Sequence, residues 1–257
     1  MSKKRNAIIA SVAAVAVLGI GAAVVSNQAG SASENTIVVA TEGTYAPFTF
    51  HDANNNLTGY DIEVFKAVAK EAGYNVKFKE TTWDGIFDGL QAKRWDAIAN
   101  EVTIRDDRQK LYDLTDPYTV SNYVAITRSD DTKVAKIEDI SGLTAAQSAT
   151  SSFSDLAKKY GAKIETVEGF TQAIALLQLK RVDVTLNDSL AAADYIAKNR
   201  DAGVKIAASF GDVSKQGFVF RKGSGLAAKF NAALKKLEDN GTIAAIGKKY
   251  FGKDVSK

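Results

Sequence analysis

Short β-branched runs alternate along the chain with longer stretches in which apolar residues recur every three or four positions. This is the pattern of parallel strands joined by crossover helices, and it predicts an α/β fold. The spacing predicts strands at Thr36 to Ala40, Asn75 to Lys79, Asp96 to Ala99, Tyr123 to Thr127, Leu143 to Ala145, Lys163 to Val167 and Asp183 to Leu186. Between Asp61 and Ala72, Ile62, Phe65, Val68 and Ala69 fall on one helical face, with Glu63, Lys66 and Lys70 outside and Gly73 as the stop. Further helices are predicted for Trp83 to Ala92, Ser152 to Tyr160, Phe170 to Leu179, Ser189 to Asn199, Gly225 to Asn240 and Ile243 to Tyr250.

Residues 1–33 break this pattern. Lys3, Lys4 and Arg5 precede an apolar run from Ala7 to Val25, and Ser26 to Ser33 is small and polar, as in a targeting segment. The run is long enough to span a bilayer, so a cleaved signal peptide and an uncleaved anchor are both open. Its Ala, Val and Gly content, and the small residues after it, favour cleavage.

Charge and cysteine content narrow the partners. The net charge of +3 comes from those three basic residues, which leaves 30 residues of each sign in the body. A neutral body lacks the basic face that nucleic acid or anionic lipid requires, so neither is expected as a partner. There is no cysteine, which excludes a disulfide framework and a lipid-modified N-terminal cysteine.

An internal echo carries more information. Leu90 to Glu101 (LQAKRWDAIANE) matches Leu177 to Asp188 (LQLKRVDVTLND) at an offset of 87 residues, and the same register sets Trp83 against Phe170. One repeat at this distance implies two related α/β lobes with a ligand cleft between them, not a solenoid. Ligands of open α/β sheets lie beyond the carboxyl ends of strands, where the repeat puts Asn100, Glu101, Asn187 and Asp188. From the repeat alone, capping of the next helix or turn explains these four equally well.

The segment TEGTYAPFTF at Thr41 to Phe50, followed by LTGYDIEVFKAVAKEAG, resembles the extracytoplasmic amino-acid-binding proteins of ABC importers, in the polar amino acid group. The resemblance continues through TTWDGIFDGLQAKRWDAIANEVTIRDDRQKLYDLTDPY, GFTQAIALLQLKRVDVTLNDS, QGFVFRKGSG and DNGTIAAIGKKYFG. It implies a two-lobed periplasmic-binding-protein-like fold, with two mixed sheets joined by two hinge strands. The implied limits are 1–33 for the leader or anchor, 34–120 and 217–257 for the first lobe, and 121–216 for the second. The hinges would lie near Tyr118 to Tyr123 and Asp212 to Gly217.

The resemblance also implies roles within the cleft. Arg108 takes the ligand's α-carboxylate, for which a planar guanidinium fork is suited. Asp188 takes the α-ammonium from the second lobe, so that occupancy favours closure. Tyr45 and Trp83 pack on the ligand side chain, with Phe50 as a third aromatic candidate. Thr103 and Thr150 complete the carboxylate site; Asn100 stands beside them, and Glu42 and Glu101 select the ligand side chain. The pattern is nearest the cystine-binding branch, although Glu101 replaces a glutamine common there, which leaves room for Lys, Arg or another polar amino acid.

The expected function is therefore an exported, monomeric receptor, held at the cell surface or secreted, that passes a free amino acid, cystine first, to a membrane permease and its ATPase. Neither a cofactor nor a metal is expected. Two other functions share this fold: a surface adhesin and a lyase-type enzyme. With no Cys nucleophile, one His and no metal-ligand spacing, the only catalytic candidates are cleft carboxylates, Glu101 first, and the chain reads as no enzyme. His51, beside Asp52 and Asn54 to Asn56, reads as a loop residue.

Overall fold

The computed structural model describes residues 35–257; the leader reading for 1–33 lies outside the described residues. The chain opens with β1 (Thr36–Thr41), β2 (Thr44–Tyr45), β3 (Thr49–His51), β4 (Leu57–Thr58), α1 (Tyr60–Glu71), β5 (Asn75–Glu80) and α2 (Trp83–Gln91). It continues through β6 (Ala97–Ile98), α3 (Asp106–Leu111), β7 (Tyr112–Leu114), β8 (Thr119–Arg128), β9 (Thr144–Gln147), α4 (Ser152–Lys159) and β10 (Lys163–Thr166). Next come α5 (Phe170–Gln178), β11 (Thr185–Asp188), α6 (Ser189–Lys198), β12 (Val204–Gln216), β13 (Val219–Arg221), α7 (Leu226–Asp239) and α8 (Thr242–Phe251).

These elements form two lobes. In one, the sheet runs β5-β1-β6-β13-β7; β1 pairs parallel to β5 and β6, and β13 pairs antiparallel to β6 and β7. Its core joins Val39, Phe65, Val68 and Phe220 to Phe230 and Leu234 of α7, with Tyr60 and Tyr118 at one end. Phe65 lies edge-on to Phe218 (4.9 Å) and beside Phe230 (5.1 Å), a geometry that rings favour over face-to-face stacking. In the other lobe, β8 lies between β11 and β12, antiparallel to both, and β9 pairs parallel to β10. Two apolar clusters cover its faces, one around Ala145, Val184 and Phe210 and one around Val124, Ile174 and Leu177.

The antiparallel pairs in the second lobe depart from the all-parallel pattern that alternation alone suggests, and agree with mixed sheets. Two long strands link the lobes: Thr119 to Asn122 of β8 pairs with Gln216 to Val213 of β12, and the register shifts between Ser209 and Val213 where β12 enters the second sheet. Gln216 also bridges to Thr103, and Tyr118 stacks on Phe218 at 4.1 Å, so the first-lobe end of this ribbon is firmly seated.

The internal repeat is carried into three dimensions residue by residue. Lys93 and Lys180 both adopt left-handed backbone (φ 59° and 58°) at the end of their helices. The amides of Arg94 and Arg181 then turn back onto Gly89 and Leu176 carbonyls (2.9 and 3.0 Å). Asp96 and Asp183 each accept a neighbouring strand's amide, from Val38 and Thr144, at 3.0 Å. These aspartates lock sheets and stand apart from the cleft chemistry.

Candidate functional site

A cavity of about 610 Å³ lies between the lobes. The first lobe supplies Glu42 and Tyr45 from the β1 to β2 segment, Glu80 to Trp83 at the start of α2, and Asn100, Glu101 and Thr103 after β6. Gln147 to Ser152, Glu168 to Ala173, Thr185 and Asn187 complete the wall from the second lobe, with gaps at Ala149 and Thr150. Glu42, Glu80, Glu101 and Glu168 are acidic, and no lining residue is Lys, Arg or His.

The repeat positions stand on this wall for a physical reason: each strand ends there, and its final polar residues fasten neighbouring segments. Asn100 accepts the Glu42 amide (2.7 Å) and donates to the Glu42 carboxylate (2.5 Å). Burial pushes the Glu42 carboxyl up to about 7, against the lowering effect of Asn100, with Asp84 and Glu168 raising it further. Asn187 accepts the Tyr45 hydroxyl at 2.6 Å, tying the lobes together, while Phe170 meets the Tyr45 ring edge-on at 6.3 Å.

Six of the ten residues expected from sequence line the cavity: Glu42, Tyr45, Trp83, Asn100, Glu101 and Thr103. The other four do not. Arg108 is buried one step behind the wall, where it donates to the Thr103 carbonyl (3.0 Å) and lies over Trp83 (5.4 Å) and Phe87 (5.1 Å). Burial lowers its pKa to about 10, with Arg105 adding repulsion, and it has no ion-pair partner among the described residues. Asp188 is fully buried; it caps α6 through the Leu190 amide (2.7 Å) and accepts Ser121 Oγ. The capping alternative therefore holds for Asp188. Phe50 lies outside the wall, with Lys198 Nζ 5.6 Å from its ring centre.

Thr150 is exposed, and both its amide and its hydroxyl donate to Asp84 Oδ1 (3.1 and 2.7 Å), from one lobe to the other. Arg105 bonds Asp155 across the same gap at 2.8 Å, and Thr103 meets Ser152 at 3.2 Å. These contacts hold the lobes closed. Asp84→Ala removes both Thr150 bonds, so we expect ligand affinity to fall by roughly tenfold, about 1.4 kcal/mol, through faster release in stopped-flow dissociation. An unchanged release rate would show that the latch carries no weight.

Two polar atoms on the wall are buried without a partner: Trp83 Nε1, a donor, and Glu101 Oε1, an acceptor. Buried polar atoms are nearly always satisfied, so orphans of opposite type on two residues that line one cavity give it a polar character that suits a polar ligand. Sequence reasoning missed Glu80, Glu168, Ser152 and Phe170 as wall residues. Phe170 was within reach, since the repeat pairs it with Trp83.

Two lobes, a ribbon of two strands between them and a polar cavity at their junction define a two-lobed solute-binding protein. The chain belongs to the bacterial extracellular solute-binding proteins, family 3, whose family model matches residues 37–253. It is 46% identical over 226 residues to the L-cystine-binding protein TcyA of Bacillus subtilis, covering 87% of this chain and 84% of that protein. The unliganded, open L-cystine solute receptor of Neisseria gonorrhoeae is 43% identical, with coverage of 88% and 97% and a TM-score of 0.60. An ancestral arginine-binding protein bound to arginine is only 33% identical, yet superimposes with a TM-score of 0.80 over 85% of this chain and 99% of that one. The better match to the less similar sequence, together with the contacts across the cleft, shows that the lobes here are not in the receptor's open arrangement.

Proposed function

We propose that this protein is the substrate-binding component of an ABC amino-acid importer, closing its lobes over one free amino acid. The carrying observation is a pair of uncompensated buried groups, a desolvated Arg108 without an anion one step behind the cavity wall and Glu101 on the wall with one buried oxygen unpartnered. A zwitterion supplies the missing partner of each. In this reading Arg108 reaches the α-carboxylate past Thr103, Tyr45 and Trp83 pack on the side chain, and the α-ammonium enters the acid pocket of Glu101 and Asp188. Lobe limits of 34–120, 121–216 and 217–257 suit this division, with export directed by residues 1–33 and delivery to a membrane permease with its ATPase by a monomer.

Cystine is the ligand we favour, supported by two relatives named for it. Its second ammonium suits Glu42, and its second carboxylate suits the hydroxyls and amides of Thr81, Thr82, Ser148, Gln147 and Gln172 on the wall. The lining, acidic and without a basic residue, gives specific support to a second reading, a cationic amino acid such as arginine or lysine with its distal charge at Glu42.

A thermal-shift screen of residues 34–257 against the twenty amino acids and cystine separates these readings. A ligand at about 100 times its Kd stabilises the native state by about 2.7 kcal/mol, which raises Tm by about 5 °C or more. A shift with cystine alone supports the first reading, and one with arginine or lysine alone the second. No shift with any amino acid, after removal of co-purified ligand, overturns the proposal.

A further inference from the structure

The ribbon between the lobes carries a line of buried polar side chains on one face. Ser121 of β8 and Ser214 of β12 are register partners, and Gln216 lies two residues further along β12, on the same face as Ser214. Ser121, Ser214 and Gln216 are only 6%, 2% and 0% exposed. Gln216 Nε2 donates to Ser214 Oγ at 2.7 Å along its own strand and to Ser121 Oγ at 3.3 Å across the ribbon. Ser121 Oγ donates to Asp188 Oδ2, while the Leu190 amide holds Asp188 Oδ1 at 2.7 Å. The line therefore runs from one strand of the ribbon, through the other, to the carboxylate that ends β11.

The direction of each bond is fixed by the supply of hydrogens. Ser121 has one hydroxyl hydrogen and an ionised Asp188 can only accept, so that hydrogen goes to Asp188 and the Ser121 oxygen accepts from Gln216. The Gln216 amide is thereby turned with its nitrogen toward the serines, and its Oε1 is left buried without a partner. An unpartnered oxygen in a residue with no exposure costs stability, which a side chain without polar atoms would avoid. Nor is the amide needed to seat the ribbon on the first lobe, because the backbone does so. The Gln216 carbonyl accepts the Tyr118 amide (3.0 Å), the Lys215 carbonyl accepts the Ile104 amide (2.8 Å), and the Gly217 amide donates to the Val102 carbonyl (3.0 Å). What the side chain adds is a directed hydrogen bond on Ser121.

We propose that Gln216 is a positioning residue that acts through Ser121 on Asp188: it orients the one hydroxyl that holds this carboxylate, and so ties the second-lobe end of the ligand site to the bend of the ribbon. The inference rests on the amino-acid reading above, in which Asp188 meets the ligand, and goes beyond it in naming what sets Asp188 in place. Ser121 and Gln216 both lie where the two strands pass between the lobes, Thr119 to Asn122 against Gln216 to Val213. A change of bend there shifts residue 216 against residue 121, so the hydroxyl is aimed at Asp188 in this arrangement of the lobes and loses its aim in another. The same bond supports the charge of Asp188. Burial raises its carboxyl, and the Ser121 hydroxyl opposes that rise, which favours the ionised form that a cationic group requires.

A double-mutant cycle tests this. Kd for cystine and for arginine, the release rate, and Tm without ligand are measured for wild type, Gln216→Met, Ser121→Ala and the double variant. Methionine keeps close to the volume of glutamine and removes both the donor and the orphaned oxygen. We expect Gln216→Met to weaken binding of whichever probe the wild type takes by about three- to tenfold, through faster release, with the ligand-free Tm unchanged or raised. Ser121→Ala should weaken binding by about tenfold or more, because the bond it removes is to a charged group. Once Ser121 is gone the amide has nothing to orient, so adding Gln216→Met to Ser121→Ala should change Kd by less than about twofold. Wild-type Kd in Gln216→Met would overturn the inference while leaving amino-acid capture intact, and a lowered ligand-free Tm with that Kd would assign the side chain to the stability of the ribbon alone. If Tm and affinity fall together, the cycle decides, since effects that add in the double variant also overturn it. A wild type that binds neither probe would overturn the reading of the site, and the inference with it.

Discussion

Arg108→Ala should severely weaken amino-acid capture while leaving the empty protein as stable as before, or more so. Arg108 is 7% exposed, bonded to a single carbonyl and stacked against two aromatic rings, and no carboxylate pairs with it among the described residues. Keeping a guanidinium in such a place costs solvation energy that the empty molecule does not recover. The ligand's carboxylate recovers it, through charge-assisted bonds in a site shielded from water. Removing one partner of a desolvated pair typically costs about 2 to 5 kcal/mol, so affinity should fall by between roughly 30-fold and several thousand-fold. Calorimetry would measure that loss, and a melt of the ligand-free variant would show Tm unchanged or raised. Unchanged affinity would remove Arg108 from the site. A large fall in ligand-free Tm would instead assign it to structure, as a clamp on the Thr103 carbonyl.

The two outcomes separate because the rings around Arg108 do not depend on its charge. Trp83 and Phe87 lie edge-on to one another at 5.4 Å, and Phe87 lies 5.4 Å from Tyr112. That cluster survives a truncated neighbour.

Much of this architecture is visible in the chain, for reasons that differ between elements. The helices Tyr60–Glu71 and Leu226–Asp239 are long, amphipathic and stopped by Gly73 and Gly241, so periodicity alone marks them within a residue or two. The repeat marks the lobes because both halves solve the same local problem, ending a helix and locking a strand with one aspartate. Strand β12 escapes notice: Val204–Gln216 has no steady alternation, carries Gly211 within it and shifts register twice as it passes between lobes. Strands β2, β3 and β4 are two or three residues long and owe their form to pairing with one another. At the site, residue type reveals Glu42 and Trp83 through their motif, but no pattern along the chain shows that Asp188 is engaged by Ser121 while Glu101 keeps an oxygen free. That difference arises only when segments 67 and 40 residues apart fold together.

Gly89→Ala should destabilise the first lobe despite improving the helix. A methyl group at Gly89 would stand 1.9 Å from Cζ2 of Trp95 and 2.1 Å from Cη2, inside the indole ring. Trp95 has little freedom to retreat: it is 3% exposed, and its Nε1 donates to the Ile86 carbonyl at 2.9 Å. Alanine gains about 1 kcal/mol over glycine within a helix, but overpacking a rigid core costs about 3 kcal/mol, for a net loss of about 2 kcal/mol. In a chain of this size that lowers Tm by about 4 to 8 °C. The second lobe shows the alternative solution in the same register, with Leu176 opposite Gly89 and Val182 opposite Trp95, both packed in one apolar cluster. Space given up by the large ring is taken by leucine, so total volume is conserved while the shapes exchange. Gly89→Leu combined with Trp95→Val should therefore recover at least half the Tm lost in Gly89→Ala, although it forfeits the bond to Ile86. A single Gly89→Ala variant that melts with the wild type would show that Trp95 can move. The helix start that presents Trp83 to the cavity would then not depend on this contact.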